Sequence, residues 1–318
     1  MPKHGTSHTL DVISPTNVAS EKVFPAAGLI EKISSYLQLT KPSIMLLVLI
    51  TGATGLFLEG SLITQPVKFM LFLLGLYLTG GSANAFNQYF ERDIDARMSR
   101  TRKRRPLPTG RLAPAGALAF AVLIGIAGVL LLGLVFNLLT ALLSLATILF
   151  YSLFYTLWLK PNTPLNIVIG GAAGAMAPVG AWAAATGSTA VVPWILFSIV
   201  FLWTPPHFWS LALHFRDDYR AAGYPMLPVI RGFDETMRQI AVYCYFLVAV
   251  SGTYLFYGGG WLYGLAAAGL GVTYIVKIRK ARRVENKSTG WGLFSYSIIY
   301  LFGLFAAMVL DKFVKWLV

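Results

Sequence analysis

Apolar positions run through this chain in long, nearly unbroken stretches, without the alternation of a half-buried strand or the three- and four-residue rhythm of an amphipathic helix. A bilayer-crossing helix needs about 20 apolar residues, whereas a transmembrane barrel strand needs only about 10 in alternation. The runs here have the first length. Nine are counted, over about 43–62, 67–90, 112–136, 138–158, 164–186, 191–213, 237–257, 259–276 and 291–311. Asn137 is the strongest polar break between Ala113 and Tyr151. The pattern predicts an all-α polytopic membrane protein with nine transmembrane helices. Gly170, Gly171, Gly174 and Pro178 fall inside spans, where close helix packing or a lined cavity tolerates them. Pro205 and Pro206 are expected to kink or break the sixth span.

Residues 1–34 read as a polar N-terminal segment, expected to be flexible, ahead of an intramembrane domain over 35–318. Neither a cleaved signal peptide nor a mitochondrial transit peptide is expected, because the segment has no apolar core and no arginine. Leu29, Ile30, Ile33, Tyr36 and Leu37 suggest a short interfacial helix over 29–41.

Composition agrees with the pattern. Of 318 residues, 56% are apolar and only 12% charged, and the mean hydropathy is +0.66. A soluble chain carries about 25% charge, so ordinary globular, disordered, collagenous and coiled-coil classes are excluded. The formal net charge of +13 would suggest nucleic acid in a soluble protein. Here the cations sit between apolar runs, so they report topology and no nucleic-acid partner is expected. Cys244 is the one cysteine, which excludes an internal disulfide and a cysteine metal cluster.

Lysine and arginine divide sharply. The N-terminal segment holds four, the loop after span 2 with its edges eight, the loop after span 4 one, that after span 6 four and that after span 8 six. Only Lys68, Lys312 and Lys315 fall on the other side. The positive-inside rule then places the N-terminus in the cytoplasm of a bacterial or archaeal cell, the chain lying in the inner (plasma) membrane. Eleven of the thirteen acids share that face. A transporter keeps its polar site near the midplane, but no span here has an ionisable residue at its centre.

Two clusters stand out on the charged face. Asn87, Glu91 and Asp95 are spaced by four residues at the end of span 2, so a continuing helix aligns them on one stripe. Carboxylates one turn apart repel and call for a cation between them; hard oxygen donors suit Mg²⁺. Six cations in nine residues follow, from Arg97 to Arg105. Such a run is often only a lipid-headgroup patch, but carboxylates followed by dense bases are also what a metal–diphosphate requires. The second cluster, at the end of span 6, puts His207, Leu211, His214 and Asp218 on one stripe. Tyr224-Pro-Met-Leu-Pro228 follows as a rigid return loop suited to covering the mouth. Lys41, Tyr155, Lys160, Asn162 and Asn166 lie on the same face, where interfacial anchoring is the competing explanation.

This constellation resembles the UbiA superfamily of intramembrane prenyltransferases over about residues 35–312, and within it the haem-farnesylating branch. The superfamily's first motif, Asn-x₃-Asp-x₃-Asp, falls on Asn87, Glu91 and Asp95, with Glu where Asp is usual. Its second, Asp-x₃-Asp, falls on His214 and Asp218, the first acid replaced. The branch is suggested by the stretch Asn87–Thr109, by Pro164-Leu-Asn-Ile-Val-Ile-Gly-Gly-Ala-Ala-Gly, by Thr-Pro-Pro-His-Phe-Trp and by Ala-Gly-Tyr-Pro-Met-Leu-Pro-Val. The resemblance implies a UbiA-like bundle in which farnesyl diphosphate meets haem b (protohaem IX) and yields haem O, which a downstream haem-oxidising enzyme and a terminal oxidase consume. It implies Mg²⁺ on Asn87, Glu91, Asp95 and Asp218, and diphosphate contacts from Lys41, Arg100, Arg102, Lys160 and Arg216. Tyr89, Tyr155, Phe208 and Trp209 would offer π faces to the allylic cation, and His207 or His214 would meet the haem iron. Two alternatives remain: the same fold with an aromatic or quinone-precursor acceptor, and a transporter or structural membrane protein without chemistry.

Overall fold

The computed structural model describes residues 28–284 and 286–317, so the expectations for residues 1–27 lie outside the described residues. The side chain of Arg100 also lies outside them. Among the described residues nine helices are long and apolar enough to cross a membrane. A shorter helix, α1 (Leu29–Leu39), precedes them. The spans are α2 (Pro42–Glu59), α3 (Pro66–Phe90), α4 (Pro114–Val135), α5 (Leu138–Asn162) and α6 (Asn166–Thr186). They continue with α7 (Val191–His214), α8 (Gly232–Tyr257), α9 (Trp261–Ala281) and α10 (Ser288–Leu317).

Local signals explain where these helices begin. Pro42, Pro66 and Pro114 stand in their first turns, where a missing N–H costs nothing. Asn137 caps α5 by accepting from the Thr140 N–H at 3.0 Å, so the polar break seen in the sequence is a helix start. Two spans exceed the apolar run that announces them. Helix α8 begins at Gly232, its first turns carrying Asp234 and Glu235 at the water boundary. Helix α10 extends past Lys312 and Lys315, whose stems lie along the bundle while their ammonium groups reach backbone carbonyls of Leu58 and Gly258. Helix α7 runs unbroken through Pro205 and Pro206. The proline pair is absorbed inside a packed bundle, where Ser210 donates to the carbonyl of Pro206 at 2.6 Å.

In lipid no hydrophobic force draws apolar helices together, so association depends on close packing and buried polar contacts. Helix α4 lies along α3 because its small residues admit the neighbouring backbone: a Cβ on Gly128 would stand 3.0 Å from the Thr79 nitrogen. Ser82 donates across the same seam to the Ala121 carbonyl at 2.8 Å. A larger core joins α7, α8, α9 and α10, with Trp203, Trp209, Tyr263, Tyr274 and Tyr300 buried in it.

Helix α1 exposes Leu29, Ile30, Ile33 and Leu37, an apolar face suited to the membrane boundary. Its end is clamped to α3: Gln88 donates to the carbonyls of Gln38 and Leu39, and Asn84 to that of Thr40. The next residue, Lys41, has a left-handed backbone (φ 52°), alone among the described non-glycine residues. This strained turn, held by Asn84 and Gln88, aims Lys41 at the end of α3.

The last third of α5 widens. Across Phe150–Leu159 it forms i→i+5 hydrogen bonds, the Lys160 N–H reaching the Tyr155 carbonyl. In an ordinary helix Lys160 would stand opposite Tyr151, since nine residues make about 2.5 turns. At about 4.4 residues per turn nine residues make two turns, and both face inward. The bulging wall needs Gly170 opposite it, where a Cβ would stand 2.3 Å from the Tyr155 ring.

Gly170→Ala is expected to destabilise the protein by about 1–3 kcal/mol through overpacking against Tyr155. Gly269→Ala, where a Cβ meets nothing within 4 Å, is expected to leave stability unchanged or raise it. Thermal unfolding in detergent, followed by helical circular dichroism, compares them; equal melting temperatures for Gly170→Ala and wild type would refute the close contact.

Candidate active site

The stripe foreseen at the end of α3 forms despite the helix ending at Phe90. The Glu91 N–H bonds to the Asn87 carbonyl (3.0 Å) and the Asp95 N–H to the Glu91 carbonyl (2.8 Å), so the i, i+4 register carries through the short helix Arg92–Asp95. Asn87, Glu91 and Asp95 are all buried, at 1%, 3% and 3% exposure. Buried carboxylates need compensation by charge and hydrogen bonds. Three cations supply it. Lys160, brought inward by the widened helix, pairs with Glu91. Arg105 pairs with Asp95 and stands 3.7 Å from Glu91. Lys41 donates to the Asn87 Oδ1 at 2.6 Å, and the Asn87 amide N–H donates to Thr156 Oγ1 at 3.1 Å.

Electrostatics follow this geometry. Burial lowers the Lys41 pKa to about 7, with the neighbouring Arg105 charge adding to the effect. Burial pushes Glu91 upward, but Lys160, Lys41 and Arg105 together outweigh it and hold the carboxyl below its usual range. Asp95 moves the other way: burial raises it, Arg105 offsets part of that, and the charge on Glu91 adds to the rise. Tyr224 closes the group from the loop after α7. The Lys160 ammonium lies 4.8 Å from its ring centroid, and its hydroxyl is close enough to Glu91 to feel the carboxylate. Burial, then the nearby Glu91 carboxylate, raises the pKa of that hydroxyl.

Behind the charged mouth an apolar cavity of about 130 Å³ descends between α2, α3, α4, α5 and α6. Asn84 and Tyr151 line it at the end nearest the acids; Phe72, Leu132 and Thr140 line it deep in the bundle. Tyr151 stacks on Tyr155, centroids 5.1 Å apart. Along α3 the cavity extends from Phe72 to Asn84, about 18 Å at 1.5 Å per residue.

Among the residues singled out from sequence, Asn87, Glu91, Asp95, Lys41, Lys160 and Tyr155 come together here. The others lie elsewhere. Arg102 is exposed, while Arg216 begins the short helix Arg216–Ala221 at the rim. Asp218 accepts from Ser99 Oγ at 2.6 Å, tying the loop after α7 to the loop after α3. Tyr89 packs beside Phe90 and under the Arg92 guanidinium (4.7 Å). His207 is sandwiched between Trp203 and Phe294, centroids 4.1 and 4.5 Å away, with Nδ1 2.7 Å from Ser297 Oγ. Phe208 meets the His207 ring edge-on, and Trp209 meets Tyr243 in the same way. His214 lies at the rim beside Trp291 and Phe215. Arg105, Tyr151, Thr156 and Tyr224 join the site without having been singled out as site residues. A run of six cations does not say which one turns inward, and no periodicity announces a widened helix; only Tyr224 carried a signal, its place in the return loop.

The oxygen donors suit a hard divalent cation. Two carboxylates and an amide oxygen share one stripe, and Cys244 is buried in α8, away from it. Among the described residues no three Asp, Glu, His or Cys side chains come together as a metal-binding group. That fits Mg²⁺, which takes one or two carboxylates and fills its remaining positions with water and phosphate oxygens.

Comparisons with known proteins agree with this geometry. A relative from Gloeobacter violaceus named protoheme IX farnesyltransferase is 47% identical over 282 residues, covering 88% of this chain and 92% of its own. The fold matches a digeranylgeranylglyceryl phosphate synthase with a TM-score of 0.73 at 20% identity, covering 88% of this chain and 98% of that one. It also matches a UbiA homologue from Archaeoglobus fulgidus bound to GPP and Mg²⁺, with a TM-score of 0.62 at 15% identity, covering 86% and 99%. The model of the UbiA prenyltransferase family matches residues 48–308, and the chain belongs to that family of multi-pass membrane proteins.

Proposed function

We propose that this protein transfers the farnesyl group of farnesyl diphosphate to a vinyl group of protohaem IX, with addition of water, giving haem O and diphosphate. The charged face, with the N-terminus, lies in the cytoplasm, and the membrane is the bacterial inner (plasma) membrane. One observation carries the proposal: a buried acid–cation cluster sits one turn of α3 beyond the end of an apolar cavity that runs deep into the bundle. The name its relatives carry, protoheme IX farnesyltransferase, supports haem as acceptor.

Asn87, Glu91 and Asp95 would hold Mg²⁺, while Asp218 stays outside this group, held by Ser99 on the loop after α3. When bound, the ion supplies Lewis-acid stabilisation of the charge growing on the departing oxygens. Lys41, Lys160 and Arg105 turn from the carboxylates toward the diphosphate; their charges are already desolvated and positioned. Three cations against two carboxylates leave one net positive charge, and a divalent ion raises it to three, the charge of a fully ionised diphosphate monoester. As the C1–O bond breaks, the diphosphate takes the electron pair and the allylic cation faces Tyr151, its ring backed by Tyr155. The terminal carbon of the vinyl group bonds to C1. Water then adds to the inner vinyl carbon and loses a proton. Both faces of the His207 ring are filled, and His214 packs at the rim against Trp291 of α10.

The cavity depth also fits the donor. The twelve-carbon main chain of a farnesyl group spans roughly 14 Å at about 1.25 Å per bond along its axis. Phe72 and Leu132 would then line the distal end of the chain.

Expression in cells lacking this activity, followed by haem extraction, is expected to give a haem whose mass gain equals farnesyl plus water; unchanged haem b would overturn the proposal. Asp95→Asn is expected to lower diphosphate release in isolated membranes by about a hundredfold or more at wild-type insertion, and a wild-type rate would remove Asp95 from the site. Gly180→Leu, placed in open space on the cavity wall, is expected to lower kcat/KM for farnesyl diphosphate at least about tenfold while sparing geranyl diphosphate. A proportional loss on both donors would show that the cavity does not measure the chain.

A further inference from the structure

A second cavity, of about 730 Å³, opens on the charged face on the far side of the two loops that build the active site. Its walls come from the start of α6, the end of α7 and the start of α8. Thr163, Pro164 and Leu165 form one side and Leu227 another. Trp209 and Tyr243 form an aromatic corner, centroids 5.4 Å apart and nearly perpendicular. Arg231 and Arg238 stand at its polar edge with Glu235.

Two features mark it as a binding site. The Trp209 side chain is buried at 1% exposure, and its indole N–H has no hydrogen-bond partner among the described residues. Folded proteins rarely leave a buried donor orphaned; this one lies just behind the cavity wall, within reach of an acceptor only if the ring shifts. The cations at the edge are also unequally used. Arg238 gives both arms of its fork to Glu235, at 2.7 Å each. The Arg231 side chain is exposed and forms no hydrogen bond or close ion pair among the described residues, although its charge acts on the nearby Glu235 carboxylate. The cavity thus combines aromatic and aliphatic walls with a guanidinium free to take a carboxylate.

Its position relates it to the reaction. Thr163 follows Lys160, and Leu227 follows Tyr224, by three residues each. Three residues reach at most about 10 Å, so the backbone of both walls lies within that span of the backbone at Lys160 and Tyr224. The farnesyl cavity lies between α2 and α6 and shares none of these residues.

We infer that this second cavity holds the acceptor, a flat aromatic macrocycle with carboxylates on one edge, and that Arg231 takes a carboxylate while the Trp209–Tyr243 corner packs on the ring. The inference rests on the haem-farnesylating function proposed above and gives that acceptor a place. Vinyl and propionate groups occupy different edges of protohaem. Carboxylates held at Arg231 therefore leave the vinyl edge free to turn toward Lys160 and Tyr224.

The test is a titration of the purified full chain, in phosphatidylcholine nanodiscs, with protoporphyrin IX and with its dimethyl ester, followed by the Soret band. The free acid is expected to bind, and the ester to bind more weakly by about tenfold, the value of one charge-assisted hydrogen bond. Arg231→Gln is expected to abolish this preference and to raise KM for haem about tenfold with KM for farnesyl diphosphate unchanged. Trp209→Phe, which keeps the aromatic wall and removes the donor, is expected to weaken the free acid. Added phosphatidylglycerol is expected not to compete; competition would make the cavity a lipid-headgroup site. Equal affinity for acid and ester, or wild-type porphyrin affinity in Arg231→Gln, overturns the inference while leaving the proposed function standing. Absence of any porphyrin binding by wild type overturns both.

Discussion

Two carboxylates buried side by side at the edge of a lipid-embedded bundle cannot stand alone. Glu91 and Asp95 are almost wholly removed from solvent, one turn apart, and each costs several kcal/mol if uncompensated. The rest of the site answers that constraint. Lys160, Arg105 and Lys41 come from three separate segments and converge on one stripe of α3. A cluster built in this way is suited to a change of partners: on the proposed function, the cations that neutralise the acids would turn to the diphosphate, and the acids so released would face a divalent ion.

Unusual backbone is concentrated where this convergence is made. Lys41 occupies a left-handed conformation before a proline, clamped by Asn84 and Gln88. Lys160 reaches the stripe because α5 widens over its last turns, and the widened wall is accommodated by the missing side chain at Gly170. Both irregularities lie at the charged mouth and position side chains of the candidate site, whereas the regular helices below them enclose the apolar cavity. Strain and function coincide in this way when surrounding packing over-determines a local conformation.

The fold was legible because hydropathy in long runs has few interpretations. All nine spans were placed, and α1 with them. The boundaries that moved did so for a physical reason: the first turns of α8 and the last turns of α10 are polar, so they look like loop in a hydropathy pattern although the backbone stays helical. Pro205 and Pro206 suggested a break that a packed membrane helix absorbs. At the site, the Asn87–Glu91–Asp95 ladder was readable because four-residue spacing is a property of the sequence itself. Arg105 was not, since selecting one inward cation from the run Arg97–Arg105 depends on how the loop folds back. Tyr151 and Thr156 were hidden by a change of helical pitch that no sequence periodicity records.

The central claim is that acids, cations, divalent ion and diphosphate form one charge-matched unit, so the ion and the diphosphate must bind interdependently. The direct measurement is the affinity of the purified protein for Mg²⁺ with and without a non-hydrolysable farnesyl thiolodiphosphate, together with the affinity for that analogue with and without Mg²⁺. A charge-matched unit predicts that each ligand tightens the other by the same factor, about tenfold or more. Independent affinities would contradict it.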